Sequence, residues 1–397
     1  MDFPRDLPIL PPSPLNSISA VVNVCFCNTL TVGILSEILQ IRLSSSIMSF
    51  AKHETLSTSF TVQRVNKTTF LIREDDLYRE HPFIYAKLHP TAPVLVLSDT
   101  GCDEPSEKHK HDRYIHLRKL LEHYPVEANA NKPLNPDGRR QYVVITTHCH
   151  FDHTGGIEQF LRGGTTEIVS SAAGRDFIES DLESHGLFKY YDIPTPYYQV
   201  TKWAQAFEKL KFAPAGLDSR GKDLGITIIQ TPGHTPDELA WYDHDEMHLY
   251  VGDSFYYEGE DGMAIIWPGA GNMVEWVFSM QKLQQFVKSA NAQAAKTAGD
   301  RDLDDEVDDW VQVARRVQVS CAHQTTGVDG EEILADVEKF WWRAVKGEVP
   351  VVKSEHNQGE VYDTWRDTTC EPRKMSYQAP RRLMLEARAF FDAESEA

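Results

Sequence analysis

Cysteine is scarce in this chain of 397 residues. Cys25, Cys27, Cys102, Cys149, Cys321 and Cys370 form no CxxC pair and no dense framework. That argues against a disulfide-stapled secreted scaffold and fits reduced thiols in a cytoplasmic protein. Positive charge is also short. With 40 Lys and Arg against 59 Asp and Glu, the formal net charge is −19. The basic footprint of a nucleic-acid binder is missing, and an anionic membrane surface would repel the chain. No unbroken apolar run is long enough for a confident membrane span, because residues 21–43 are interrupted by Asn23, Asn28, Thr29, Thr31, Ser36, Glu37 and Gln40. A basic segment with a clean cleavage site is absent too. The acidic run from Asp300 to Asp309 lacks the glycine of an EF-hand loop, so it reads as a solvated loop leading into a helix. Internal repeats and low-complexity segments are lacking.

What is present divides the chain in three. Residues 1–47, with Pro4, Pro8, Pro11, Pro12 and Pro14, are expected to be a poorly ordered extension, and the sequence from Met48 reads like an ordinary amino-terminus. Residues 48–350 carry strand-like and helix-like runs and form the expected catalytic domain. Residues 351–397 are expected to be a polar extension that packs on or caps this domain, with a last helix from Arg381 to Phe391. Within the domain, strands are expected at 60–65, 68–72, 83–88, 94–98, 142–147, 167–171, 226–230, 238–242, 248–251 and 317–321. Helices are expected at 113–123, 157–161, 172–179, 274–289, 305–316 and 331–345. Some neighbouring strands are close enough to be hairpins. That favours an α+β fold with two mixed sheets and helices outside.

The densest chemistry is His148-Cys149-His150-Phe151-Asp152-His153, directly after the β-branched run 142–147 and before Gly155-Gly156. Three imidazoles and a carboxylate within six positions point to a metal, because imidazole nitrogens and carboxylate oxygens are the usual ligands of Zn²⁺ and similar ions. Alternate side chains of an extended segment share a face, so His148 and His150 can address one ion. Asp152 and His153 can be turned by a tight loop toward a second. Cys149 would face the other way and is read as a small buried residue. Three later strands end on further candidates: His234 in Thr231-Pro232-Gly233-His234, Asp253 in Gly252-Asp253-Ser254, and His323 in Cys321-Ala322-His323. Each is expected at a strand end, where a sheet holds a side chain rigidly and a loop leaves it open to substrate. His109, His111, His116, His123, His244 and His248 have no ligand spacing and are expected at the surface.

Taken in order, Asp99, the 148–153 motif, His234, Asp253 and His323 resemble the five motifs of the metallo-β-lactamase-fold hydrolases, over roughly residues 55–350. The resemblance implies an αββα sandwich of two mixed β-sheets flanked by helices, with a two-metal site at one edge. It further implies that His148, His150 and His234 hold one metal, that Asp152, His153 and His323 hold the second, and that Asp253 bridges them. Asp99 would orient the metal loop by hydrogen bonding. Two Zn²⁺ per chain are the expectation, with Mn or Fe as alternatives. Ions about 3.5–4 Å apart can lower the pKa of a shared water to near neutrality and polarise a carbonyl. Asp152 is then the candidate to accept a proton and pass it to the leaving group.

Tyr256, three residues after Asp253, is similar to a tyrosine of the lactone-hydrolysing branch, which includes the acyl-homoserine lactonases. A phenol there could hydrogen-bond a developing oxyanion. The preferred reading is therefore hydrolysis of an ester or amide bond in a small molecule, most readily a lactone or lactam. The aromatic segment 181–216, with Trp267 and Trp276, suggests a substrate with a hydrophobic acyl or aromatic part. A thioesterase of the hydroxyacylglutathione hydrolase type ranks below this, for want of a basic cluster for glutathione carboxylates. An iron-dependent redox relative ranks lower again, and nucleic acid and membrane partners are not expected. A homodimer is left open.

Overall fold

Every second residue of the central strands is committed to a different core, and this alternation builds the layers. The computed structural model describes residues 56–213, 221–259, 262–302, 314–368 and 375–395. The first sheet runs β1 (Phe60–Arg64), β2 (Thr69–Glu74), β3 (Phe83–Leu88), β4 (Val94–Ser98), β5 (Gln141–Ile145), β6 (Glu167–Ser171) and β7 (Lys202–Ala204) in spatial as in chain order. It is antiparallel from β1 to β4 and parallel from β4 to β7. The second sheet contains β8 (Lys209–Phe212), β9 (Lys222–Gln230), β10 (Leu239–Asp243), β11 (His248–Tyr250), β13 (Gln318–Ser320) and β14 (Val328–Asp329), with β11 and β13 parallel. Both sheets are thus mixed, as the sequence suggests.

In β4, Val94 and Val96 point to the layer between the sheets, while Leu95 and Leu97 point outward. β5 repeats this with Val143 and Ile145 inward and Tyr142 and Val144 outward. Ile226, Ile228, Leu239 and Trp241 supply the facing half of the inner layer. The outer face of the first sheet is covered by the helix Leu117–His123 through Leu117, Leu120 and Leu121. The outer face of the second sheet is covered by the helices Met273–Asp302 and Gly330–Val345. Asp329 starts the latter by accepting the N–H groups of Glu331 and Glu332, which satisfies two otherwise unpaired donors. The architecture is the αββα sandwich. The helix expected at 274–289 continues to Asp302, and the segment expected as helix 305–316 lies mostly outside the described residues. So does the expected extension 1–47.

The carboxy-terminal region departs from expectation. Instead of a polar tail, it folds into β15 (Val351–Asn357), β16 (Glu360–Arg366) and β17 (Ser376–Pro380), followed by the helix Arg381–Ser395. β17 also pairs in parallel with β12 (Ile265–Ile266), completing a third, four-stranded sheet. Tyr377 is fully buried against Trp267, Trp276, Phe340 and Trp341. Trp365, Leu383, Met384 and Ala387 belong to the same core. Each large side chain buried this way stabilises the fold by roughly 1.5–3 kcal/mol, so a boundary at residue 350 would cut through one continuous core. Trp267 and Trp276 are packed inside it and do not line the site cavity. His248 also corrects the surface reading. β11 is paired on both sides, and the imidazole is 2 % exposed, bonded to Ser320 Oγ at 2.7 Å and stacked on Tyr250.

Candidate metal centre

The strand ends bring all seven expected ligands to one edge of the sandwich. β5 ends at Ile145, and Thr146 to His150 run on as a loop that enters the one-turn helix Phe151–Thr154. Asp152 and His153 sit on that helix. His234 follows β9, Asp253 follows β11 and His323 follows β13. All seven are buried. His148, His150 and His234 offer ligand atoms within 4.8 Å of one another, and so do Asp152, His153, Asp253 and His323. Asp253 Oδ2 lies 3.9 Å from His234 Nε2 and 3.5 Å from His153 Nε2, so this carboxylate stands between the two groups. Cys149 is buried and lies outside both groups.

The hydrogen bonds behind the ligands set which nitrogen faces the centre. His234 Nδ1 lies 2.6 Å from the Ile266 carbonyl, His323 Nδ1 lies 3.0 Å from the Glu80 carbonyl, and His153 Nδ1 lies 3.1 Å from Asp99 Oδ2. His148 Nδ1 lies 3.1 Å from Thr147 Oγ, whose own proton goes to Asp99 Oδ2. These acceptors hold the proton on the outer nitrogen and turn the Nε2 lone pair inward, the usual support of a metal-ligating histidine. His150 turns Nδ1 to the group instead, 2.8 Å from His148 Nε2 and 3.3 Å from His234 Nε2. Three ring nitrogens thus converge on one point, an arrangement that a cation resolves. In the second group, His153 Nε2 and Asp253 Oδ1 are buried without a hydrogen-bond partner. The donor set of imidazoles and carboxylates fits two borderline transition-metal ions such as Zn²⁺, without fixing which metal.

Electrostatics divide the groups the same way. Burial, reinforced by the neighbouring imidazoles, lowers His148 well below the usual histidine range and takes His150 down to about 3. These rings are neutral and ready to ligate. In the second group burial opposes every charge, yet the mutual attraction of opposite charges prevails. His323 is raised to about 10 by Asp253 and Asp152, and Asp253 is held well below the carboxylate range by His323 and His153.

Asp99 is placed by geometry as an orienting group. It takes a left-handed conformation (φ 66°) and its carboxylate accepts Thr147 N–H at 2.7 Å, Thr147 Oγ–H at 2.9 Å and His153 Nδ1–H. Gly252 (φ 56°) shapes the turn before Asp253. A side chain there would sit 2.2 Å from Glu238 Oε1. Glu238 was not anticipated. Its Oε1 accepts the Asp253 N–H at 3.0 Å and its Oε2, buried without a hydrogen-bond partner, lies 3.2 Å from His148 Nδ1, so one buried carboxyl group touches a ligand of each group. The available signal was a glutamate opening the otherwise apolar run Leu239-Ala240-Trp241-Tyr242. Glu80 was also missed. Burial and the nearby Asp152 raise its carboxyl to about 7.

Above the ligands lies a cavity of about 230 Å³. Phe151, Leu187, Tyr191, Met263, Ile266 and Tyr256 form its apolar walls, and Asn357, Gln358, Tyr362 and Gln378 reach it from the third sheet. Lys and Arg are absent from its described lining. From the aromatic segment 181–216, only Leu187 and Tyr191 take part. Tyr256 is placed with its ring 5.8 Å from that of His323, but its hydroxyl donates to the Ala264 carbonyl at 2.7 Å. The proton that an oxyanion donor would offer is already in use.

Residues 95–288 match the sequence profile of the metallo-beta-lactamase superfamily. A protein of Aspergillus versicolor provisionally named transcription factor avaE is 27% identical over 303 residues, 76% of this chain and 80% of its own. The acyl-coenzyme A thioesterase MBLAC2 of Gallus gallus is 26% identical, over 44% of this chain and 62% of its own length. The chain therefore spans about four fifths of the first relative and about three fifths of the second. A solved metallo-beta-lactamase from Pontibacter korlensis is 17% identical with a TM-score of 0.42, covering 71% of this chain and 99% of that one. The ordered motifs, the sandwich and this profile match over residues 95–288 are those of the metallo-β-lactamase superfamily.

Proposed function

We propose that the protein is a metal-dependent hydrolase of small acyl thioesters. The observation that carries this is the pair of candidate ligand groups joined by Asp253 at the floor of a cavity with apolar walls and no Lys or Arg in its described lining. His148, His150 and His234 would hold one ion and Asp152, His153 and His323 the other. Bound ions supply a nucleophile at neutral pH and polarise the carbonyl under attack. The chain's own residues do the rest. Phe151, Leu187, Met263 and Ile266 accept the acyl part and exclude water. Asp152, whose Oδ2 lies 3.3 Å from His323 Nε2, holds a position from which a proton can be moved from solvent to the leaving group.

The preference for a thioester over a lactone rests on the leaving group. A lactone expels an alkoxide, which needs a proton or a strong hydrogen bond, whereas a thiol with pKa near 8.5 leaves readily as its anion. Tyr256, the group that would have assisted an alkoxide, donates to Ala264 instead. The name of the avian relative points the same way. The absence of Lys and Arg from the cavity lining argues against direct capture of glutathione carboxylates there. The net charge of −19 speaks against a nucleic-acid role like the one the Aspergillus versicolor name suggests. Buried free Cys102, Cys149 and Cys321 suit a reducing, cytoplasmic setting. Among the described residues no helix is long and apolar enough to cross a membrane.

The test is a hydrolysis panel of acyl thioesters, lactones, β-lactams, aryl lactams and phosphodiesters, run with zinc, manganese and iron. Thioesters should turn over fastest. Turnover of lactones with thioesters untouched would overturn the thioester reading.

A further inference from the structure

The third sheet reaches over the cavity by one hairpin, and its tip has a composition unlike the walls. β15 and β16 pair from Val351↔Trp365 to Asn357↔Glu360, leaving Gln358 and Gly359 as a two-residue turn. Both turn residues are left-handed, at φ 51° and 82°, the pattern of a tight hairpin whose twist matches its strands. The hairpin is also well anchored. Arg381 Nε donates to Asp363 at 2.7 Å, Arg382 Nε donates to Glu360 at 2.7 Å, and Tyr377 of the adjoining strand is fixed in the core. Asn357 and Gln358 are exposed and line the cavity mouth beside Gln378, whose Nε2 donates to Glu355 at 2.6 Å. The cavity therefore has a floor of candidate ligands, largely apolar walls and a rim of three primary amides.

Building on the thioester reading, we propose that Asn357 and Gln358 recognise the leaving arm of the substrate and that this arm bears amides, as in a pantetheine thiol. A thioester bound with its carbonyl at the ligands and its acyl chain against Phe151, Leu187 and Met263 must send its sulfur-side arm out through the mouth. A side-chain amide offers a donor and an acceptor at once, so it pairs with a secondary amide of the arm in either orientation. A carboxylate-bearing arm would find no cation on this lining, and a purely apolar arm would leave the amides unmatched. The carrier beyond the arm, a nucleotide or a protein, lies outside the cavity.

The test compares one acyl group on four leaving thiols: mercaptoethanol, pantetheine, coenzyme A and a carrier protein's pantetheine arm. It is run on the metal-loaded wild type, Asn357→Ala and Gln358→Gly. Glycine keeps the left-handed turn while removing the amide. The wild type should favour pantetheine over mercaptoethanol in kcat/KM. Each variant should reduce that ratio about three- to tenfold, as expected for one hydrogen bond, with metal content unchanged. Equal ratios for pantetheine and coenzyme A would place recognition at the arm, and a further gain with the carrier protein would identify the protein-borne source. A wild type that turns over both small thioesters while the variants leave the ratio unchanged would overturn the hairpin assignment alone. A wild type inert toward all four would overturn the thioester reading itself.

Discussion

Replacing Tyr256 by phenylalanine separates two roles that the sequence leaves entangled. The side chain is 2 % exposed, and its hydroxyl makes a 2.7 Å bond to the Ala264 carbonyl. Phenylalanine keeps the ring beside His323 and removes one buried hydrogen bond. The expected cost is about 1 kcal/mol, with up to about 3 kcal/mol if the abandoned carbonyl finds no other donor. In a domain of this size 1 kcal/mol corresponds to roughly 1–2 °C in Tm. Catalysis should change little, with kcat on an acyl thioester within about threefold of wild type. A true oxyanion donor would behave in the opposite way, with kcat falling about 10²–10³-fold and Tm hardly moving. Thermal unfolding and steady-state kinetics on the same metal-loaded preparation decide the matter. A hundredfold loss of kcat with unchanged Tm would refute the structural role given to this residue.

Three further outcomes are expected. His248 is taken down to about 3 by burial, so the unfolded chain binds a proton below about pH 6.5 that the native state refuses. Its contribution is nil above that pH and increasingly destabilising from about 6.5 down to 3, with a slope approaching about 1.4 kcal/mol per pH unit. Denaturant titrations across that window should show His248→Gln losing stability less steeply than wild type, and parallel curves would contradict the burial argument. Glu238→Gln should weaken metal binding about 10–100-fold, as loss of a carboxylate behind a ligating histidine does. Competition with a chelator would measure it, and unchanged affinity would remove Glu238 from the centre. Tyr377→Ala should cost about 3–5 kcal/mol while keeping a single unfolding transition, since the third sheet shares the main core. An early, separate transition in calorimetry would show that residues 351–395 unfold on their own.

The sandwich and the clustering of the candidate ligands were legible because both depend on local pattern. β4 and β5 read as strands from continuous, mainly apolar runs, and the candidate ligands sit where such runs break into turns. The supporting groups were not legible in the same way. Ile266 and Glu80 act on His234 and His323 through backbone carbonyls, which any residue type supplies. Glu238 matters only because folding lays it against His148 and the Asp253 amide. The third sheet was hidden for another reason. Its edge strand Val351–Asn357 is largely exposed and polar, so it lacks the apolar alternation that marks a half-buried strand. Its burial rests on a few residues, Trp365 and Tyr377 above all, whose partners lie in distant helices. His248 was misplaced because a lone histidine carries no spacing signal, and its burial follows from pairing of β11 on both edges.

Counting the bound metal tests the central claim most directly. Elemental analysis of the purified chain, loaded with zinc and freed of excess ion, should give about two ions per chain, and His150→Ala should hold fewer while unfolding in the same cooperative transition. One ion or none in the wild-type protein would contradict a paired centre bridged by Asp253.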